Sequence, residues 1–547
     1  MTSRLREALL LTIATLALLL PFAGKAIHVD DPLFVWTAEQ VRRSPLDFYG
    51  FDVLWLGERE SMSRANLNPP GASYYLAAVA AVGGFGERAL HLGMLLPALA
   101  AVLGTWRLAI RLGAPGALAG ILLLSFPAFL VSATSLMSDV LAVALWCWAI
   151  VFWMEALERG RAQRFALAGL VAGACLLTKH VGAALVPLFV VHGLLVRRRL
   201  GVWLIAPALA GAVALGLRAV MIGRYGVDPL ALAGAYSLGH EPRTFGSVFR
   251  GAVVGLAFLG GSYATVAFLA ARLASVRTIG IAAIAGGALA IAAGVSIATY
   301  ATGRAASLVL LVHFVVFVVA GIGILGLVAR RLRAPTDPTS WLLATWIAGI
   351  FAFASFFNWT TNVRSLLPAA PAVAVLVADA LARRRVAARS AVAELAPIAA
   401  GIALALVVAH ADAGVANAGR RAAVGLADRF GAAPFVRFHG TWGFQYYLEE
   451  RGLKKLDPAE RELPAGALLL VAELAGSPLA LPPGAAEIVE EPSEASGGLA
   501  ATHHPTRGAG WYGSFLGPVP FVLGPPPAAR YQVLRLRYPG DVEPERR

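Results

Sequence analysis

The chain has 547 residues, of which 58% are hydrophobic and 14% are charged, and its mean hydropathy is +0.70. This composition excludes an ordinary soluble enzyme and is typical of a bundle of membrane-spanning helices. The net charge of +14 would suit a nucleic-acid-binding protein. However, most arginines stand in short clusters between apolar runs, so we expect membrane lipids and no nucleic acid as partners.

The first 27 residues combine two arginines with an apolar run that reaches Phe22. Gly24 and Ala26 would also fit the cleavage site of a signal peptide. Because the apolar run is long, we favour a retained membrane anchor.

Apolar runs of about 20 residues, the length that crosses a bilayer, recur along the chain and predict thirteen spans. The break between the fifth and sixth spans is the weakest, since only Lys179 and His180 interrupt the run. The predicted spans are 8–27, 88–110, 114–132, 136–156, 164–178, 181–196, 201–219, 248–271, 278–300, 305–329, 340–357, 364–382 and 390–410.

Arginine clusters fall in alternate loops between these spans, from Arg4 and Arg6 through 197–199 to 383–389. The positive-inside rule therefore predicts a cytoplasmic N-terminus. The 28–87 loop, the 219–247 loop and everything after residue 411 are expected on the outer side.

Residues 412–547 are richer in Pro, Gly and charge than the preceding chain and contain no run long enough to span. "PFVRFHG", "ALLLVAEL" and "YQVLRLRY" predict strands, and "GFQYYLEERG" predicts a helix that ends at Gly452. We predict a mainly α fold: a transmembrane domain over 1–411 and a small α/β domain over 412–547.

Five ionisable residues lie at outer span ends in this topology: Asp30, Asp31, Asp139, Lys179 and Arg364. Ionisable side chains at membrane depth are costly and tend to mark functional sites. The three carboxylates are candidate catalytic residues, and the two cations are candidate phosphate ligands.

Each carboxylate also has a structural interpretation. Asp31 stands before Pro32, which suits a helix N-cap with proline in the first turn and would leave Asp30 free for chemistry. Asp139 could simply complement a helix N-terminus.

The cations have alternatives too. Lys179 could extend to the lipid headgroups, and Arg364 could anchor its helix at the interface. His180 is a candidate for the substrate pocket, although packing is the more common role. The pair His503–His504 lies in a Pro/Gly-rich stretch and is expected to be solvated. The histidine and cysteine spacing predicts no zinc site.

The segment after Pro32 predicts a helix lying in the membrane interface, with Phe34, Ala38 and Val41 on one stripe. Further along the 28–87 loop, "NLNPPGASYYLA" predicts a turn and an aromatic-rich helix start. Tyr74 and Tyr75 in this helix are candidate substrate-pocket residues.

A lysine and an arginine at an outer interface suit a lipid-linked phosphate, and a carboxylate opposite them could deprotonate an acceptor hydroxyl. The leaving group would be a lipid phosphate that is already stable as an anion. The residues therefore indicate group transfer from a phosphate lipid, without naming the group.

Four stretches resemble the glycosyltransferase family 39 superfamily of GT-C fold, which includes protein O-mannosyltransferases and the lipid A aminoarabinose transferase. They are "VDDPLF", "NPPGASYYLA", "GLVAGACLLTKH" and "VRSLLPAAPAVAVL", in this order along the chain. The family's acidic pair is usually Asp-Glu and its arginine is often followed by an aromatic residue, whereas Asp31 and Ser365 stand at those positions here.

The resemblance implies a multi-pass enzyme of the bacterial inner membrane that takes a sugar from a polyprenyl-phosphate donor at the periplasmic face. The acceptor would be a lipid, a glycan or a protein. Asp30 would act as the base or position the acceptor, Asp139 would assist, and Lys179 and Arg364 would hold the phosphate. No cofactor is required, although a divalent metal could sit beside paired acids.

Two other functions, transport and assembly, predict different features. A transporter or flippase of a lipid-linked sugar predicts polar or broken helices near the bilayer midplane and an internal repeat. The charges lie at one rim and no repeat is evident. A non-catalytic assembly factor would leave the clustered ionisable residues without a role.

The topology is testable with alkaline phosphatase and green fluorescent protein fused after residues 160, 335 and 411. We expect fluorescence after 160 and 335 and phosphatase activity after 411. A cytoplasmic reporter at 411 would separate the ionisable residues onto different sides and contradict the site.

Overall fold

A computed structural model describes residues 2–238, 244–295, 297–300, 303–333, 337–384, 391–457, 463–475, 479–538 and 543–544. Helices dominate up to Phe430, and most strands follow that residue. The mainly α architecture predicted from the sequence is therefore confirmed.

Among the described residues, ten helices are long and apolar enough to cross a membrane. The chain is a multi-pass membrane protein. These helical segments are Ser3–Phe22, Glu87–Arg111, Asp139–Arg159, His180–Arg197, Val202–Tyr225, Phe245–Ser262, Arg304–Arg331, Pro338–Phe357, Val363–Arg383 and Leu395–Phe430.

The other three predicted spans correspond to shorter apolar helices: Gly116–Ser125, Ala162–Thr178 and Val276–Ala292. The first of these ends because Pro127 forces the residue before it out of the helical region, and Phe126 has φ −81° and ψ 121°. The helix resumes at Pro127–Ser132. Counting apolar residues thus located these three helices. It overestimated the length of the first and the last, whereas the predicted 164–178 agrees with Ala162–Thr178.

The predicted weak break after the fifth span is real. Helix Ala162–Thr178 ends at Lys179, whose extended backbone (φ −153°, ψ 135°) separates it from the turn His180–Ala184 and the helix Leu185–Arg197. Lys179 therefore lies between the two helices, and its side chain reaches Asp139.

The remaining described helical segments are short and connect the spans or border them. They are Pro229–Leu238, Thr265–Phe268, Ala270–Leu273, Ile297–Tyr300, the π-turn Phe353–Phe357 and the turns Val202–Leu204 and Leu367–Ala369.

The 28–87 loop begins with the predicted interfacial helix, Asp31–Arg43. Phe34, Ala38 and Val41 are buried on one stripe, while Arg42 and Arg43 are exposed. The loop continues through an antiparallel hairpin and two helices. Their bounds are Asp52–Trp55, Glu58–Ser61, Met62–Ala65 and Gly71–Gly83.

The region after Phe430 is built on a mixed sheet with the strand order Lys454–Lys455, Val436–His439, Leu468–Ala472, Ala529–Leu536, Ala486–Glu490. The first three strands are parallel, and Ala529–Leu536 runs antiparallel to its neighbours. Helix Trp442–Glu450 packs beside them. The predicted strands and helix of this region are all present. Shorter described strands are Leu479–Ala480, Ser493–Glu494, Ala500–Ala501, His503–His504, Ala509–Gly510, Val522–Leu523 and Glu543–Pro544.

The last span belongs to a helix that extends from Ala391 to Phe430 without a break. It therefore continues through residue 411, where the change in composition predicted a domain boundary. Near its middle, Asp412 accepts a hydrogen bond from Lys25 Nζ at 2.6 Å. Both side chains are buried, with exposures of 1% for Lys25 and 0% for Asp412.

The Lys25–Asp412 ion pair connects three parts of the chain. Lys25 follows the first span and also donates to Thr134 Oγ1 at 3.3 Å. Tyr512, from the C-terminal region, donates its hydroxyl to Asp412 Oδ1 at 3.0 Å. A buried ion pair that loses one partner leaves an uncompensated charge, which is strongly destabilising.

We expect Lys25→Met to lower the free energy of unfolding by roughly 3–5 kcal/mol. The double variant Lys25→Met/Asp412→Leu should recover most of that loss, because it removes both charges. Thermal unfolding in detergent measures both, with the exposed Lys454→Met as control. A single variant as stable as the wild type would show that the pair is not stabilising.

Candidate functional site

Four of the predicted ionisable residues come together at one end of the bundle. Asp30 precedes the interfacial helix and Asp139 is the first residue of helix Asp139–Arg159. Lys179 follows helix Ala162–Thr178, and Arg364 lies in the first turn after Asn362. All four therefore stand where the chain enters or leaves a helix.

Their side chains form a continuous series of ion pairs. Arg364 Nη1 donates to Asp30 Oδ2 at 2.8 Å, and Arg364 Nε donates to Asp139 Oδ2 at 2.9 Å. Lys179 Nζ donates to the other oxygen of Asp139. The charges alternate in the order Asp30, Arg364, Asp139, Lys179, and we call this series the charge quartet.

Exposure differs sharply between the two acids of the quartet. The Asp139 side chain is 2% exposed and holds both cations, whereas the Asp30 side chain is 33% exposed and contacts Arg364 alone within the quartet. Asp139 thus contacts both cations from a buried position, and Asp30 is the more accessible of the two acids. The two contacts of Arg364 use two of the five N–H donors of its guanidinium.

Asp31 is not the N-cap predicted from the sequence. Asp30 occupies the cap position without a side-chain capping bond, and Asp31 is the first residue of the helix. Asp31 is completely buried, and its carboxylate accepts hydrogen bonds from His28 N (3.0 Å), Ser135 Oγ (3.0 Å) and Leu136 N (2.9 Å). The prediction failed because two of these three donors, Ser135 and Leu136, come from a distant segment, which a local sequence pattern cannot reveal.

The turn that carries Asp30 is fixed from the C-terminal region. The Ile27 backbone N–H donates to the Tyr447 hydroxyl at 2.8 Å, and a Cβ at Gly443 would lie 2.2 Å from the Ile27 carbonyl oxygen. Val29 has φ 48°, a left-handed conformation that β-branched residues rarely adopt. Packing on both sides thus holds the residue before Asp30 in a strained backbone conformation.

The remaining predicted pocket residues have other contacts. Tyr74 donates its hydroxyl to the Pro45 carbonyl, and Tyr75 donates to the Gly93 carbonyl at 2.6 Å. His180 is half-buried and interacts with the backbone of Leu67. These bonds shape the 28–87 loop, and a role in substrate binding stays a prediction.

The sequence did not indicate the polar network behind the quartet. This network contains Lys25, Asp412, Tyr512, His28 and His503. The ring centroid of Tyr512 lies 5.7 Å from that of His28 and 5.5 Å from that of His503. A lysine after the first span and an acid inside an apolar helix were the available signals.

The expected solvation of the His503–His504 pair is wrong for its first member. His503 is buried against Trp442 and Tyr512, and burial lowers its pKa to about 3. Neither of its ring nitrogens has a hydrogen-bond partner within the part of the chain that the structure describes.

A search of the described residues for three or more clustered His, Cys, Asp or Glu side chains that could hold a metal finds no such group. The acids of the quartet are instead paired with cations. The independence from metal that the sequence suggests stays a prediction.

Comparison with protein families gives one match. Residues 67–222 match the family model described as dolichyl-phosphate-mannose-protein mannosyltransferase. The matched segment includes two of the four stretches that carried the resemblance, together with Asp139 and Lys179. The resemblance is thereby confirmed for this part of the chain. No curated protein matches the chain.

Several solved structures are similar to this chain. ArnT from Cupriavidus metallidurans bound to undecaprenyl phosphate is 16% identical, with a TM-score of 0.45 over 86% of this chain and 93% of that one. The oligosaccharyltransferase AglB from Archaeoglobus fulgidus, in complex with an inhibitory peptide and a dolichol-phosphate, is 12% identical, with a TM-score of 0.45 over 86% of this chain and 69% of that one. The arabinofuranosyltransferase AftD from Mycobacteria is 15% identical, with a TM-score of 0.40 over 98% of this chain and 40% of that one.

The chain is a multi-pass membrane protein, and one segment of it, residues 67–222, matches a family of sugar transferases.

The buried Asp31 generates a test of pH dependence. Burial raises its pKa from 3.8 to about 6, against the opposing effects of Lys25 and its hydrogen-bond donors. The folded state therefore binds more protons than the unfolded state between these values, and stability rises as the pH falls through about 6 towards 4. The total gain should be at most about 3 kcal/mol.

Unfolding midpoints measured from pH 7 to pH 4 should show this gain in the wild type and in the exposed Glu58→Gln control. The stability of the wild type relative to Asp31→Asn should rise as the pH falls across the same interval, because only the wild type has this carboxyl to protonate. A constant difference would mean that Asp31 does not titrate there.

Proposed function

We propose that this chain is a glycosyltransferase that moves a sugar from a polyprenyl-phosphate donor to an acceptor hydroxyl at the periplasmic face of the bacterial inner membrane. The proposal rests above all on the charge quartet, which sets an accessible acid beside two cations at the ends of apolar helices. The solved ArnT and AglB structures hold undecaprenyl phosphate and a dolichol-phosphate, respectively.

The chemistry follows from which bonds must form and break. Asp30 takes the proton of the acceptor hydroxyl as its oxygen attacks the anomeric carbon of the sugar. The bond from that carbon to the lipid phosphate breaks, and the phosphate leaves with the bonding electron pair. A single displacement of this kind inverts the anomeric configuration.

Arg364 and Lys179 bind the leaving phosphate in this scheme. Arg364 suits the task because its guanidinium can hold two phosphate oxygens at once, and Lys179 adds a compact second charge. Asp139 is a positioning residue, since it contacts both cations and is nearly inaccessible.

The quartet also supports a coupling between donor binding and base activation. Asp30 and the donor phosphate would compete for the Arg364 guanidinium. When the phosphate takes the N–H group that Asp30 holds, the Asp30 carboxylate is released to accept a hydrogen bond from the acceptor hydroxyl. The base is then activated only when the donor is in place.

Two substitutions separate these roles. Asp30→Asn should lower kcat for sugar transfer from a radiolabelled polyprenyl-phosphate sugar by roughly 10²–10⁴-fold, the usual contribution of a general base. Arg364→Lys should mainly raise the KM for the donor, because it loses the two-point contact but keeps a positive charge. The exposed Asp428→Asn is the control and should behave as the wild type.

Full activity of Asp30→Asn would remove Asp30 from the mechanism. If Asp31→Asn lost activity while Asp30→Asn retained it, the buried acid would be the base instead. A wild-type enzyme that binds the donor lipid yet releases no lipid phosphate would favour the alternative of a lipid-linked sugar transporter.

A further inference from the structure

A groove lies between the 28–87 loop and the C-terminal region, outside the charge quartet. It has a volume of 820 Å³ and is formed by the interfacial helix, the hairpin at 52–61 and the chain around 449–457. Pockets that hold small ligands span about 300–1,000 Å³. We call it the loop–domain groove.

The interfacial helix contributes one complete stripe to this groove. Trp36, Glu39, Gln40 and Arg43 line it at helical spacings of three and four residues. Phe51 adds a second aromatic ring from the start of the hairpin. The stripe is polar except for the indole of Trp36, which also packs against Trp55 and Tyr446.

Two pairs of opposite charges lie close together in the groove. Arg59 Nη2 lies 2.7 Å from Asp457 Oδ2, and Arg43 Nη2 lies 3.8 Å from Glu39 Oε2. Basic and acidic side chains are nearly equal in number along the lining. A phosphate or another anion would thus meet as much repulsion as attraction.

The floor of the groove is fixed by a buried lysine. Lys455 Nζ donates to Gln445 Oε1 at 2.8 Å and to the Leu54 carbonyl at 3.0 Å, which joins the C-terminal region to the hairpin. Gln445 in turn donates to Glu449 Oε1 at 2.8 Å. The polar atoms of the floor and of Glu449 are therefore held in place before a ligand arrives.

We propose that the loop–domain groove binds the glycan portion of the sugar acceptor. Carboxylate, amide and guanidinium groups can donate to or accept from several neighbouring hydroxyls of an uncharged ligand, and aromatic rings pack against the apolar faces of sugar rings. The proposal rests on the proposed function, whose acceptor it narrows to a glycan.

Two other acceptor chemistries fit less well. A lipid chain would bury against charged side chains along the whole groove. A peptide bound as an added strand would need a free sheet edge, and the edge strand at this side, Lys454–Lys455, has only two residues. The lining favours hydroxyl-rich ligands over both.

The position of the groove relative to Asp30 fits an acceptor of several sugar units. Asp30 precedes the helix whose later turns, from Trp36 to Arg43, line the groove. At ~1.5 Å per residue, Glu39 lies roughly 13 Å further along the helix axis than Asp30. An oligosaccharide seated in the groove could thus reach towards the quartet with one end.

Binding can be measured on the full-length protein in lipid nanodiscs. Both native cysteines, Cys147 and Cys175, are buried, so an environment-sensitive thiol dye can be directed to Arg43→Cys or to its exposed neighbour Arg42→Cys, which does not line the groove. The probes are short gluco- and manno-oligosaccharides, a Ser/Thr-rich peptide and phosphatidylglycerol vesicles.

We expect oligosaccharides to produce a saturable signal at position 43 and not at position 42. A response to the peptide or the vesicles alone would overturn the proposal, and so would the absence of any response to the oligosaccharides. Deacylated and intact forms of one glycolipid, compared in the same assay, show whether the glycan comes from a lipid headgroup or a free polysaccharide.

Kinetics provide the second measurement through a matched pair of neighbours. Glu449 lines the groove and Glu450 does not. Glu449→Gln should raise the KM for a glycan acceptor by about tenfold relative to Glu450→Gln, the effect of weakening a charge-assisted hydrogen bond. Equal KM values in the two variants would contradict the groove as the acceptor site.

The two proposals fail in different ways. Release of lipid phosphate from the donor by the wild type, measured with a simple alcohol such as methanol as the acceptor of the sugar, reports on the proposed transferase chemistry alone. If the wild type releases lipid phosphate but the groove variants leave the KM for the acceptor unchanged, the groove is not the acceptor site. The proposed transferase function then stands. The dye signal at position 43 shows whether the groove binds oligosaccharides, even if the enzyme releases no lipid phosphate.

Discussion

The cost of placing charge at a membrane boundary governs the arrangement of this site. An isolated carboxylate or ammonium at that depth loses most of its hydration, so it persists only beside an opposite charge. Asp139 satisfies this condition by binding two cations, and Arg364 does so by binding two acids. The series contains two carboxylates and two cations, so its formal charges cancel.

The same reasoning explains why the C-terminal region is needed to shape a site that the bundle supplies. Asp30 lies in a turn whose backbone is held by Tyr447 and Gly443, and whose preceding lysine is held by Asp412. These contacts fix the strained residue Val29 in place. Substitutions in the C-terminal region can thus alter the reactivity of Asp30 without touching any substrate.

The features that sequence reasoning found are those set by local chemistry or by hydropathy. Apolar runs identified every long helix, the arginine pattern gathered Asp30, Asp139, Lys179 and Arg364 at one end, and alternating apolar residues gave the strands around Val436 and Leu468.

Features set by distant contacts were missed. Asp31 binds donors more than a hundred residues away, and Lys25 pairs with an acid 387 residues along the chain. Span lengths were also overestimated where Pro127 interrupts a helix.

The unbroken helix Ala391–Phe430 has a mechanical consequence for the whole enzyme. Its 40 residues extend roughly 60 Å, about twice the ~30 Å hydrocarbon thickness of a bilayer. The half before Asp412 is long enough for a membrane span, and the half after it contacts the C-terminal region. A thinner or thicker bilayer would tilt this helix and strain its contact with the C-terminal region, so the composition of the surrounding lipid would influence how Asp30 is aligned.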